Sequence, residues 1–279
     1  MFIIQFLVVC LFVVSSVFTD EDTQEIRLVV FGKTGVGKSS LTNVLLKEGV
    51  FVTGVNLNSI TAKSQAAARI VKFPEVGNRR LLIVDTPGTF GTRHNNETTA
   101  KDIVGFSIPG PHVFILVISA THRFTKEDEN IFEELKKTFG DGVSDYMIVV
   151  FTFKNGMQIS QSECLVTAPE NVKNILNLCN MRYAFIDNKH PEVNDIDAIY
   201  RLIARLVRGN HGNHYINSMY DETSRNATEE EQKQKDQRKR WWCKLIGEVM
   251  KLFGVAAVSC TKGFSLMSTV AGLAINNYC

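Results

Sequence analysis

The chain has 279 residues, with 31 Lys and Arg against 29 Asp and Glu, 44% hydrophobic residues and 22% charged ones. A formal net charge of +2 leaves no basic excess to neutralise a nucleic-acid backbone, so no nucleic-acid partner is expected. Cys10, Cys164, Cys179, Cys243, Cys260 and Cys279 make neither a CxxC pair nor a Cys/His metal spacing, which argues for free thiols and against a zinc-type site.

The chain opens on an uncharged stretch, FIIQFLVVCLFVVSSVF (2–18). Three readings stand for this N-terminal segment (1–19): a membrane anchor, a signal peptide, or a wrongly assigned start. A signal peptide normally has a basic n-region, absent here, while the stretch is about the minimum for a span. The first basic residues, Arg27 and Lys33, follow it, which favours an anchor with the rest of the chain on the cytosolic face of an intracellular membrane.

IRLVVF (26–31) reads as a buried strand and runs directly into GKTGVGKS (32–39). That is a phosphate-binding P-loop at every fixed position, followed by a helix pattern over about 38–48. The expected nucleotide-binding residues are Gly32, Lys33, Thr34, Gly35, Val36, Gly37, Lys38, Ser39 and Ser40. Glycines let backbone N–H groups turn inward onto phosphate, and the helix start adds its positive dipole end. Lys38 would reach the outer phosphates, and the Ser39 hydroxyl would ligate Mg²⁺.

Next, NSITAKSQ (58–65) supplies Thr61 for a switch threonine over the metal and the terminal phosphate, with Ser59 and Ser64 as competitors. Strands are expected at about 66–72 and 80–85, the second ending in RRLLIVDTPG (79–88). An Asp-x-x-Gly there would hold the metal through water with Asp85 and sense the terminal phosphate with the Gly88 N–H. Thr89 stands where Ras-like enzymes carry the glutamine that orients water, so slow intrinsic turnover is expected. A helix at roughly 97–106 and a strand at about 112–120 follow. Thr125 then reads as the N-cap of a helix over 125–139, stopped by Gly140.

The block IPGPHVFILVISATHRFTKEDENIFEELKKTFG (108–140) resembles the signature segment of the GIMAP family, immunity-associated GTPases of the avirulence-induced-gene type. GKTGVGKSS, the region around Thr61, VDTPGTF and NMRYAFIDNK (180–189) are similar to that family as well, so the resemblance covers about residues 26 to 220. It implies GTP/GDP and Mg²⁺ as ligands, and hydrolysis aided by a homo-dimer or oligomer formed through the nucleotide face. Arg123, in the Arg-aromatic-Thr turn, would act in trans, with neighbouring His122 a secondary candidate; the plain alternative is a surface arginine capping a loop. Thr61 and Arg123 are thus the catalytic candidates, and Ser39, Thr61 and Asp85 the metal ligands.

The chain departs from the family at the base. In such GTPases the fifth strand, here about 146–152, leads into a segment like Thr-Arg-Lys-x-Asp whose aspartate grips guanine. This chain has FTFKNGM (151–157), with Gly156 at the aspartate's position. Losing a charge-assisted bidentate contact lowers guanine preference. Asn155 is one residue away, and Lys154 and Asn188 are the residues left to stack on the base. Helices at about 169–179 and 194–208 with a strand at 181–187 complete an alternation of strands and helices, the pattern of an α/β P-loop GTPase: a mostly parallel six-stranded sheet with helices on both faces, plus hydrophobic N- and C-terminal segments.

The nucleotide-binding domain is placed at 24–220, followed by a charged linker or exposed helix at 221–240 and a C-terminal segment at 241–279. RKRWWCK (238–244) is basic and aromatic and precedes a long, mostly apolar run. Either a span covers about 252–275, or an amphipathic helix lies in the membrane interface, or such a helix packs on the domain. Cys243 is a palmitoylation candidate, and Cys279 makes no CaaX box. Together these features describe a GTP-binding protein with slow, dimerisation-stimulated hydrolysis, attached to a membrane through its termini as a switch or scaffold. The alternative is a non-hydrolysing nucleotide-binding scaffold with relaxed base selectivity.

Overall fold

Apart from Arg27 in β1, the interiors of the central strands are hydrophobic, and the pleat sends alternate residues to opposite faces. Val29 and Phe31 of β1 (Glu25–Phe31) enter one apolar cluster, while Leu28 and Val30 enter the other. β4 (Val113–Ser119) and β5 (Met147–Thr152) divide in the same way, so both faces need a helical cover. The computed structural model describes residues 24–51, 64–88, 90 and 96–252.

Among these residues six strands form one sheet in the order β2-β3-β1-β4-β5-β6. β3 (Gly77–Asp85), β1, β4, β5 and the short β6 (Tyr183–Phe185) are parallel, as the alternation of strand and helix requires. β2 (Gln65–Phe73) pairs antiparallel with β3 at the edge, from Gln65 opposite Asp85 to Phe73 opposite Gly77. A three-residue connection is too short for a crossover, so β2 and β3 must form a hairpin.

One face is covered by α1 (Lys38–Leu46) and α6 (Val193–Gly209), through Leu41, Leu45, Ile199, Tyr200 and Ile203. The other is covered by α2 (Asn96–Ser107), α3 (Lys126–Phe139) and α5 (Glu170–Leu178), with Ile103, Phe132, Leu135 and Ile175 among the residues turned inward. α3 begins at Thr125 as its sequence indicates. The Thr125 amide donates to the Asp128 carboxylate, and Gly140 ends the helix at φ 97°. α4 (Gln161–Thr167) escaped the sequence reading because it buries no residue and so shows no apolar stripe; only the Ser160 cap, accepting from the Glu163 amide, marks it.

α7 (Ser218–Leu252) runs through the boundaries drawn at 220/221 and 240/241. The chain divides into two compact units, residues 1–221 and 222–279. In the first, Tyr220 is fully buried, and its hydroxyl meets the Ser107 hydroxyl at 2.9 Å. In the second, 222–240 is a charged helical stretch. No helix among the described residues is long and apolar enough to cross a membrane. The segments 1–19 and 253–279, which carry the anchor and span expectations, lie outside them. Tyr220→Ala should destabilise the first unit by about 3–5 kcal/mol, read as a lower urea midpoint with an unchanged slope.

Candidate functional site

The turn from β1 into α1 puts Gly32 to Ser39 at the carboxyl end of the central strand. Gly37 caps α1 in the left-handed region at φ 91°, and a Cβ there would lie 2.8 Å from Nδ2 of Asn188. Only glycine meets both conditions. α1 has no acidic residue in its first turn, so its positive end is left for an anion from outside the chain. Val36 is buried, and its carbonyl accepts from the Thr152 hydroxyl of β5 at 2.7 Å, tying the loop to the sheet. Thr34 and Gly35 are exposed, and Ser40, the third residue of α1, is half-buried.

Lys38 is 6% exposed and forms no ion pair among the described residues; its ammonium donates to the Lys33 carbonyl at 3.0 Å. Burial pulls its pKa down to about 8, against the opposing pull of the Asp85 and Glu127 charges. Asp85, at the end of β3, is completely buried. Its Oδ2 accepts from the Ser39 hydroxyl at 2.5 Å, while Oδ1 has no hydrogen-bond partner among the described atoms. Burial raises the Asp85 pKa, more than the Ser39 hydroxyl and the Lys38 charge lower it. A buried carboxylate oxygen left unmatched beside a serine hydroxyl is a donor set that fits a hard divalent cation, directly or through water.

Gly88 closes the opposite wall. A Cβ on it would fall 2.5 Å from the Thr34 amide nitrogen and closer still to the Thr34 hydroxyl, so any side chain would push the Asp-x-x-Gly segment off the P-loop. Thr86 holds that segment down by donating to the Val30 carbonyl at 2.7 Å. Thr61 and Thr89 lie outside the described residues.

On the base side, Asn188 donates from Nδ2 to the Gly37 carbonyl at 3.0 Å, and its buried Oδ1 has no partner among the described atoms. Lys154 is committed elsewhere: its ammonium sits 2.8 Å from Asp195 and 3.5 Å from Glu192 of the α6 start. The hydrogen bond to Asp195 raises its pKa. Only the aliphatic stem of Lys154 remains to face a base. Gly156 closes a short turn (Lys154–Gly156), where a Cβ would come 3.0 Å from the Thr121 methyl. Reading by sequence overlooked Asp187. Its carboxylate accepts from the amides of Lys189, His190 and Asn155 at 2.9, 3.0 and 3.4 Å, and so joins the two base-side loops. Burial works to raise its pKa, but these backbone hydrogen bonds outweigh it and the net shift is downward. The signal was the acidic residue directly after the apolar strand in AFIDN.

Arg123 is exposed on the turn between β4 and α3. The turn itself is well held. The His122 ring Nδ1 lies 3.0 Å from the Ser119 hydroxyl, and the same ring packs edge-on against Phe153, 5.5 Å between centroids. Lys33 points away from the loop to Asp128, with its Nζ at 2.8 Å.

A six-stranded, mostly parallel sheet with a P-loop after β1 and an Asp-x-x-Gly after β3 defines the class of P-loop proteins with the GTPase fold. Residues 26–236 match the AIG1 family, and the chain belongs to it. Immune-associated nucleotide-binding protein 3 of Arabidopsis thaliana is 29% identical over 233 residues, covering 80% of this chain and 67% of that protein. GTPase IMAP family member 8 of Mus musculus is 28% identical over 199 residues, or 68% of this chain and 28% of that protein. The chain therefore spans about two thirds of the first relative and little more than a quarter of the second. A structure of the chloroplast translocon components atToc33 and psToc159 superposes with a TM-score of 0.52 at 21% identity, covering 68% of this chain and 86% of that one, a likeness of fold.

The Lys38 environment sets a pH dependence. In the free protein Lys38 loses its proton near pH 8, whereas a bound phosphate favours the ammonium, so binding takes up a proton above that pH. Triphosphate affinity should be flat below pH 8 and fall above it, approaching about tenfold per unit. Titration with a fluorescent triphosphate from pH 6.5 to 9.5 measures this. A depressed lysine pKa also means that the unfolded chain binds more protons between about 8 and 10.5, so this group adds to free-protein stability as pH rises through that window.

Proposed function

We propose that this chain is a guanine-nucleotide switch that binds GTP and GDP with Mg²⁺, hydrolyses GTP slowly as a single copy, and turns over faster as a homo-dimer formed across its nucleotide face. The observation that carries this reading is the pairing of a buried Lys38 ammonium with the half-matched Asp85 carboxylate at an uncompensated helix start. Phosphates would complete the partners of the first, and a metal ion would complete those of the second. Ser39, Asp85 and Thr61 would hold Mg²⁺, which supplies neutralising charge to the phosphates.

The P-loop amides and Lys38 would orient the phosphates, and the Gly88 amide would sense the terminal one. Thr89 offers no carboxamide to orient water, which supports slow turnover by one copy. For the structurally similar chloroplast translocon components, dimerization is important for GTPase activity. An exposed Arg123 on a braced turn supports a role for this arginine in a partner's site. Membrane attachment through the termini, at the cytosolic face of an intracellular membrane, completes the reading and rests on the uncharged stretch 2–18 and the basic-aromatic run 238–244.

A second reading, a nucleotide-binding scaffold with relaxed base selectivity, is favoured by one observation. Gly156 brings no carboxylate to the base, and the nearby acidic groups are already engaged: Asp187 by three amides, Asp195 and Glu192 by Lys154. The two readings separate by turnover against protein concentration. Specific GTP turnover should rise as copies associate, and Arg123→Ala should cut the associated rate about tenfold or more while sparing the rate at high dilution. Turnover that stays flat with concentration in the unchanged protein favours the scaffold. Gly156→Asp should raise the preference for GTP over ATP by about ten- to a hundredfold, the worth of one charge-assisted pair of hydrogen bonds, in competition binding. An unchanged ratio would mean that another group already reads guanine.

A further inference from the structure

Asp128 is the third residue of α3 and is 4% exposed, yet one of its oxygens collects three donors. Oδ2 accepts from the Thr125 amide at 2.9 Å, from the Thr125 hydroxyl at 2.8 Å and from the Lys33 ammonium at 2.8 Å. The first two are helix-capping contacts that any Asp-bearing helix start could make. The third comes from 95 residues away, out of the P-loop. A lysine whose side chain is 15% exposed, placed on an acidic carboxylate that is nearly sealed from water, is held far more firmly than a surface pair.

The contact joins two parts that the proposed activity needs in concert. Lys33 lies next to Gly32 in the phosphate cradle, and its carbonyl receives the Lys38 ammonium, the group a phosphate would draw away. Thr125 lies two residues beyond Arg123. The other end of that turn is fastened by His122 to Ser119 and to the Phe153 ring, so the Thr125 end, tied through Asp128, is the one that answers to the P-loop. α3 also places Glu127 where its charge acts on Lys38.

We propose that Asp128 is a positioning residue: by holding P-loop Lys33 and the Thr125 end of the Arg123 turn on one carboxylate oxygen, it makes the presentation of Arg123 to a second copy of the chain depend on whether the P-loop holds a nucleotide. The proposal rests on the nucleotide-switch reading above. Nucleotide entry redirects Lys38 and shifts the Lys33 backbone, the ion pair carries the shift to the start of α3, and the turn takes the orientation in which the already exposed Arg123 engages a second copy. Asp128 does this without touching nucleotide, and it acts only through Arg123.

Asp128→Asn tests it. The amide oxygen keeps both acceptor contacts to Thr125, so the helix cap survives, and only the charge that holds Lys33 is lost. The expected result is a loss of about fivefold or more in the concentration-dependent part of GTP turnover, with the rate at high dilution retained and nucleotide affinity within the same order of magnitude. In the Arg123→Ala background the same substitution should add nothing, because the group it acts through is gone. Hydrogen exchange gives a readout independent of turnover: addition of a non-hydrolysable GTP analogue should alter the amides of 121–126 in the unchanged protein and leave them unaltered in Asp128→Asn. If the unchanged protein binds nucleotide and accelerates with concentration while Asp128→Asn does the same, the proposal is overturned and the switch reading stands. If the unchanged protein shows no acceleration, the switch reading fails and takes this proposal with it. Equal losses from Asp128→Asn with and without Arg123 would reduce Asp128 to a structural cap.

Discussion

Two charges buried at the carboxyl ends of neighbouring parallel strands constrain the rest of this molecule. Lys38 and Asp85 are 6% and 0% exposed, and neither finds a full set of partners among the described residues. Burying an ammonium and a carboxylate so incompletely is costly, and the opposite directions of their pKa shifts record that cost: each group is pushed toward its neutral form. Such strain persists only where the surrounding fold over-determines it. Here the over-determination comes from β1 and β3 lying side by side with Val30 opposite Asp85, from Thr86 pinned on Val30, and from Thr152 pinned on Val36. A ligand carrying phosphate and a divalent cation would satisfy both charges at once.

The apolar layers serve that arrangement. Each strand of β1, β4 and β5 sends alternate residues to two separate clusters, so the sheet is clamped from both sides and the loops at its carboxyl ends are left to carry chemistry. Those loops are stitched to one another by polar contacts of long sequence range. Asn188 meets Gly37, Asp187 meets Asn155, and Asp128 meets Lys33. None of these pairs lies on one element. The site is a set of short loops whose relative placement depends on a few carboxylates and amides.

Much of this was legible in the residues. All six strands and five of the helices announced themselves by apolar runs or by stripes at helical spacing, and Thr125 and Gly140 marked the two ends of α3 by their capping chemistry. The polar α4 had no stripe to read, and the antiparallel placement of β2 follows from the shortness of its connection to β3 rather than from any residue pattern. Lys154 reads in sequence as a residue to stack on the base, and nothing local shows that its ammonium pairs with Asp195 and Glu192. Position in a motif indicates which loop a residue occupies. It does not indicate which neighbouring element will claim its charge.

By itself, then, the sequence determined the P-loop motif, the Asp-x-x-Gly motif that ends β3, the class of fold and the glycine at 156, because each of these is a local pattern legible in residue type and spacing. Tertiary structure alone decided which charges remain unmatched and which are spent. Asp187 became the brace between the base-side loops, Lys33 was drawn to Asp128, and Asp85 kept one oxygen without a partner among the described atoms, since each outcome depends on contacts between segments tens of residues apart. Partner choice across such distances is set by the packing of the sheet and its helices, and no local pattern encodes it.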